Sequence, residues 1–137
     1  MVKKILLPII IIGIILFIVF YIFNAEEYLS KDTDVTDIKQ KLLPFFPELR
    51  SVKLMRGEKS YTLGKYRIFV CTRDKKTNQL YDDNTLTHVI LHELAHTICR
   101  ERGHTGSFFE IFDGLLTRAT DMGLFDPDKN IKEDYCS

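Results

Sequence analysis

The sequence predicts an α+β domain, a small antiparallel sheet packed on a buried helix, preceded by one transmembrane helix. Three observations predict it. A 19-residue uncharged run, Ile5 to Phe23, opens the chain. Short alternating segments, "KSYTLGKYRIFVCT", follow. Then "VILHELAHTIC" (89–99) places His92, Glu93 and His96 inside an apolar helical pattern.

At about 1.5 Å per residue, the opening run spans close to 30 Å, the thickness of a hydrocarbon core. Pro8 and Gly13 are tolerated in such helices, and Tyr21 is placed as an interfacial anchor. The run is longer than a signal-peptide core, and "FNAEE" lacks the small-residue cleavage pattern, so a retained anchor is expected. Lys3 and Lys4 precede it and Glu26, Glu27, Asp32 and Asp34 follow. That asymmetry puts the N-terminus in the cytoplasm and the domain across the bilayer. The division expected is an anchor at 1–24, a linker at 25–34 and a domain at 35–137.

Nineteen basic residues balance nineteen acidic ones. Without Lys3 and Lys4, 17 basic residues face 19 acidic, so no basic field is available to hold nucleic acid. The three cysteines, Cys71, Cys99 and Cys136, allow one bridge and leave one thiol; the sequence does not choose the pair.

Within the domain, Val35, Ile38, Leu42 and Leu43 recur at helical spacing behind Thr33 or Asp34 as cap, and Pro44 and Pro47 end that helix. "SVKLM" reads as a strand. Tyr61 and Leu63, then Tyr66, Ile68 and Val70, alternate about Gly64-Lys65 as a hairpin. The segment from Tyr66 to Cys71 is the edge strand expected to pair with a substrate backbone. A central helix is expected from Thr85 to Arg102, with Asn84 as cap and Gly103 past its end. A further helix is expected from Ser107 to Met122. Ser107 and Glu110 form a capping box at its start and Gly123 stops it.

On a helix, residues four apart share a face, so His92 and His96 can reach one ion. Glu93 lies beside them, close enough to touch a ligand water. This is the H-E-x-x-H arrangement, in which two imidazoles hold Zn²⁺ and the glutamate is the general base. Shuffling this composition yields the motif only about once in 200 chains, so chance is a poor explanation. Burying these groups without partners would also carry a free-energy penalty.

A catalytic zinc takes a third protein ligand and leaves one position open. His104, after Gly103, is the first candidate, and Glu110 the second. His88, one turn before His92, and Tyr135, near the C-terminus, are candidate oxyanion or substrate contacts. Cys136 is a candidate fourth ligand or a latch over the metal.

The stretch "LHELAHTICRERGHTGSFFEIF" resembles the WLM and SprT-like zinc metallopeptidases, in which H-E-x-x-H precedes a histidine followed four residues later by Phe. Those positions here are His92, Glu93, His96, His104 and Phe108. The segments "RGEKSYTL", "NTL…HELAH" and "DYC" are similar to those of uncharacterised WLM-like proteins of large DNA viruses. The resemblance covers roughly residues 35–137. It implies a zincin-like domain holding zinc with three histidines and acting on a protein or peptide. Cys99 stands where a metzincin would have Gly.

Three functions follow as expectations. The first is a membrane-anchored zinc endopeptidase. The second is an inactive, zinc-stabilised membrane adaptor. The third is a DNA-associated protease like several family members, which the neutral charge disfavours.

Overall fold

The computed structural model describes residues 2–132 and 135–136. The chain is α+β. Helix α1 covers Val2–Ser30 and α2 covers Thr33–Leu42; a 3-10 turn at Pro47–Ser51 leads to strand β1, Lys53–Arg56. Strands β2, Tyr61–Leu63, and β3, Arg67–Val70, come next. Helices α3, Asp83–Ile98, and α4, Gly106–Asp121, complete the domain.

Helix α1 is long and apolar enough to cross a membrane, and Ile5 to Phe23 are all exposed. It does not stop at Phe23. It continues to Ser30, so most of the expected linker is helix. Glu26 explains the continuation: it meets Lys53 Nζ at 3.3 Å and Arg67 Nε at 2.8 Å, the latter off the line of a hydrogen bond. The last turns are therefore docked on the sheet rather than left in solvent.

The sheet is mixed, not purely antiparallel. Its order is β1-β3-β2. Strand β3 pairs with β2 in the expected antiparallel hairpin, with Tyr61 opposite Phe69 and Leu63 opposite Arg67. On its other side β3 pairs with β1 in parallel, Lys53 opposite Arg67 and Arg56 opposite Val70. Strand β3 is thus central, and the expected edge at Tyr66–Cys71 is filled on both sides. The free edge beside α3 belongs to β2. Gly64 and Lys65 both have positive φ in the connecting turn, a conformation glycine adopts without steric penalty.

Helix caps fall earlier than the sequence suggests. Asp32, not Thr33 or Asp34, caps α2 through bonds from the Asp34 and Val35 amides. Asp82 caps α3 by accepting from the Thr85 amide. Asn84 instead pins the C-terminal segment, exchanging hydrogen bonds with the Asp126 backbone at 2.7 and 3.1 Å. Thr105 caps α4, so the expected Ser107–Glu110 box is not formed; Ser107 Oγ donates to Glu101. In each case the chosen side chain is the one whose oxygen reaches an orphan amide in the first turn.

The core lies between the sheet and the two C-terminal helices. Leu54, Ile68 and Val70 of the sheet share one buried cluster with Ile90, Leu91 and Leu94 of α3, Phe108, Leu115 and Ala119 of α4, and Val35, Ile38 and Leu42 of α2. Cys71 and Cys136 are joined in a disulfide, and Cys99 is the buried free thiol. Cys136 is therefore neither a fourth ligand nor a latch.

Candidate metal centre

Helix α3 carries His92 and His96 on one face, as their four-residue spacing requires. The helix ends four residues earlier than expected, with Cys99 extended. Lys65, from the β2–β3 turn, donates to the carbonyls of His96 and Cys99, both at 2.6 Å. Those carbonyls would otherwise be unsatisfied at a helix C-terminus, where positive charge is also favoured. The chain then folds back through Gly103, whose φ of 80° is left-handed, and delivers His104.

The three imidazoles converge. His104 Nε2 lies 3.1 Å from His92 Nε2 and 3.2 Å from His96 Nε2. Their ligand atoms form one cluster within 4.8 Å that could hold a metal ion. Hydrogen bonding alone is a poor account of this geometry. A neutral imidazole nitrogen carries either a proton or a lone pair, so His104 Nε2 cannot donate to one neighbour and accept from the other. Three lone pairs directed at one cation satisfy all three. A tetrahedral ion with zinc–nitrogen bonds of about 2.05 Å spaces its ligands by about 3.3 Å, close to what is observed.

The imidazoles are also kept in the ligating form. Burial, reinforced by the neighbouring imidazoles, lowers the His92 pKa to about 4, and burial likewise lowers that of His96. Phe108, fully buried in the first turn of α4, supports all three rings, with centroids 5.0 Å from His92, 4.3 Å from His96 and 4.8 Å from His104.

Glu93 is 7% exposed. Burial raises its pKa, and a hydrogen bond from Thr62 opposes that rise. The Thr62 hydroxyl lies 2.8 Å from Glu93 Oε2 and 2.9 Å from the Glu93 carbonyl oxygen. Thr62 is the inward-facing residue of β2, flanked by exposed Tyr61 and Leu63. Its role was not anticipated; the signal available was a single polar residue at the inward position of the hairpin.

Two recesses meet at this centre. One, of about 720 Å³, is lined by Ser60 to Lys65, His92, Glu93, His96, Arg102, Gly103 and His104. The other, of about 400 Å³, includes His88, Val89, Ile131 and Tyr135 and shares His92 and Glu93 with the first. His88 packs against Phe112 and Phe125, with centroids 5.2 and 5.8 Å away, and burial lowers its pKa. Tyr135 donates to the Cys71 carbonyl and is 2.6 Å from Ser60 Oγ. Burial pushes its pKa up to about 12. Its one proton is committed to a carbonyl, so an oxyanion contact would require it to leave that bond. Glu110 is exposed on α4 and outside the histidine cluster.

Three viral proteins are similar to this chain. Uncharacterized protein 042R of Invertebrate iridescent virus 3 is 46% identical over 87 residues, 64% of this chain and 55% of its own length. Uncharacterized protein 136R of Invertebrate iridescent virus 6 is 44% identical over 90 residues, 64% of this chain and 51% of its own. Uncharacterized protein R325 of Acanthamoeba polyphaga mimivirus is 40% identical over 107 residues, 73% of this chain and 54% of its own. The chain therefore spans about half the length of the curated relatives it matches. No family model matches the sequence, and no solved structure matches it.

Proposed function

We propose that the chain is a membrane-anchored zinc endopeptidase with a zincin-like domain of the WLM and SprT-like kind. The observation that carries this reading is the meeting of three imidazole nitrogens beside a buried glutamate at the floor of a cleft with a free strand edge. His92, His96 and His104 would hold the ion. When bound, zinc polarises a carbonyl and lowers the pKa of a coordinated water towards about 7.

The protein's own groups supply the remaining steps. Glu93, with its raised proton affinity, accepts the proton of the attacking water and passes it to the leaving amine. Thr62 fixes one carboxylate oxygen, which limits the orientations Glu93 can adopt. Strand β2 offers backbone groups along the cleft, so a peptide substrate is aligned by strand addition there rather than at β3.

Helix α1 would serve as the single-pass anchor, its exposed apolar surface satisfied by lipid. The Cys71–Cys136 disulfide favours an oxidising compartment for the domain, in keeping with the two lysines ahead of the anchor. The adaptor reading loses its candidate fourth ligand to that disulfide.

The test is zinc content per full-length chain in detergent, compared with His104→Ala prepared identically. About one zinc in the parent and clear loss in the variant are expected for a three-histidine site. A folded parent without zinc would end the proposal.

A further inference from the structure

Two ion pairs fix the domain's direction relative to α1. At one end of β1, Lys53 meets Glu26; at the other, Arg56 NH1 meets Asp32 Oδ2 at 3.2 Å. Three strand residues advance about 10 Å; α1 advances about 6 Å from Glu26 to Ser30, and two further residues carry the chain a comparable total distance to Asp32. The two spans match, so β1 runs alongside the end of α1, away from the apolar run. Strand β3 is parallel to β1 and points the same way. The β2–β3 turn precedes Arg67 and must therefore point back towards the apolar run.

The levels can be compared. Glu26 stands about 4.5 Å beyond Phe23 at helical rise. Arg67 is level with Glu26 by contact, Tyr66 is about 3 Å nearer the apolar run, and the turn a further few ångströms. The polar headgroup layer on each side of a bilayer is about 5–7 Å thick. Tyr66, about 1.5 Å beyond Phe23, falls within that layer, and the tip of the turn comes level with its inner boundary.

The residues suit that layer. Leu63 and Tyr66 are 51% and 50% exposed. The Arg67 guanidinium stacks 4.5 Å over the Tyr66 ring, and Lys53 lies beside it through Glu26. An aromatic, an aliphatic and adjacent cations are the composition of an interfacial contact. We infer that the β2–β3 turn, Leu63 to Tyr66, is a second membrane contact, resting on phospholipid headgroups. Because Lys65 ties this turn to the His96 carbonyl, the contact holds the mouth of the metal cleft at the bilayer surface. The inference rests on α1 being a membrane anchor.

The chain contains no tryptophan, so a single introduced one is a clean reporter. Leu63→Trp and Tyr66→Trp would each be made in the full-length chain. Phe23→Trp marks the anchor, and Leu80→Trp marks the far side, beyond the Arg73–Asp34 pair. Each is reconstituted in phosphatidylcholine vesicles with and without lipid brominated near the headgroup end of its acyl chains. Roughly two-fold quenching at either turn position, matching Phe23→Trp and absent at Leu80→Trp, is expected for an interfacial residue. Turn variants that unfold at the parent temperature yet stay as unquenched as Leu80→Trp, with Phe23→Trp quenched, overturn the second contact and leave the anchor standing. An unquenched Phe23→Trp removes the anchor reading, and this inference with it.

Discussion

Helices α1 and α3 are both rich in Ile, Leu and Val, yet they use that surface in opposite ways. From Ile5 to Phe23 every side chain of α1 is exposed, whereas α3 buries Ile90, Leu91, Leu94 and even Glu93. Each helix is incomplete by itself. The first is long and apolar enough to cross a membrane; the second brings His92 and His96 to meet His104 in a cluster that could hold a metal ion. The uncharged run from Ile5 to Phe23 suits lipid, and a helix that sets His92, Glu93 and His96 among apolar residues suits an ion.

The sharpest break in this comparison is at Glu93. Glu93→Gln keeps the shape and the ligands, so zinc content should stay at the parent level. Peptide hydrolysis should fall by about 10²–10⁴-fold, the range for losing a general base. Comparable activity in the variant would reduce α3 to a structural helix. The corresponding change in α1 is Ile14→Arg, near its midpoint. An arginine there costs about 2.5–3.5 kcal/mol in insertion. The membrane-bound fraction should drop while zinc per chain is unaffected; a coupled loss of both would mean that anchor and site are not separable.

Smaller effects test how α3 holds its charges. In the metal-free protein, folded His92 resists protonation down to about pH 4. The unfolded chain takes up that proton below about 6.5, so stability is complete above 6.5 and declines towards 4. Thermal unfolding temperatures across this window should fall without zinc, and a flat profile would mean the imidazoles are not buried together. The smallest effect is expected at Thr62. Its hydrogen bond lowers the Glu93 pKa against the pull of burial. Thr62→Val should move the acidic limb of kcat/KM to higher pH, while Thr62→Ser leaves it in place.

What the sequence revealed tracks how local the determining physics is. The four-residue spacing of His92 and His96, the return of the chain at Gly103, and the hairpin about Gly64-Lys65 depend on nearby residues, and these were legible. The sequence places the caps one or two positions late because Asp32, Asp82 and Thr105 compete with polar neighbours, and only geometry decides which oxygen reaches an amide. The parallel pairing of β1 with β3 and the choice of Cys71 with Cys136 join segments far apart in the chain, and no local pattern encodes them. Glu26 likewise reads as linker in the sequence because its partners, Lys53 and Arg67, lie on other elements.

The disulfide has a consequence for how the molecule wears. Cys71 and Cys136 close a ring with a sequence separation of 65, and Glu93 with His92, His96 and His104 lies inside it. A single cut in the exposed stretches at 75–79 or 100–104 would open the ring without dividing the molecule. The two pieces would stay joined by the sulfur bridge, and the clustered imidazoles would remain tethered to α1. For a cut inside the ring, losing the site from α1 takes two separate chemistries, a hydrolysed peptide bond and a reduced disulfide. Against nicks within the ring, the site is protected by needing both.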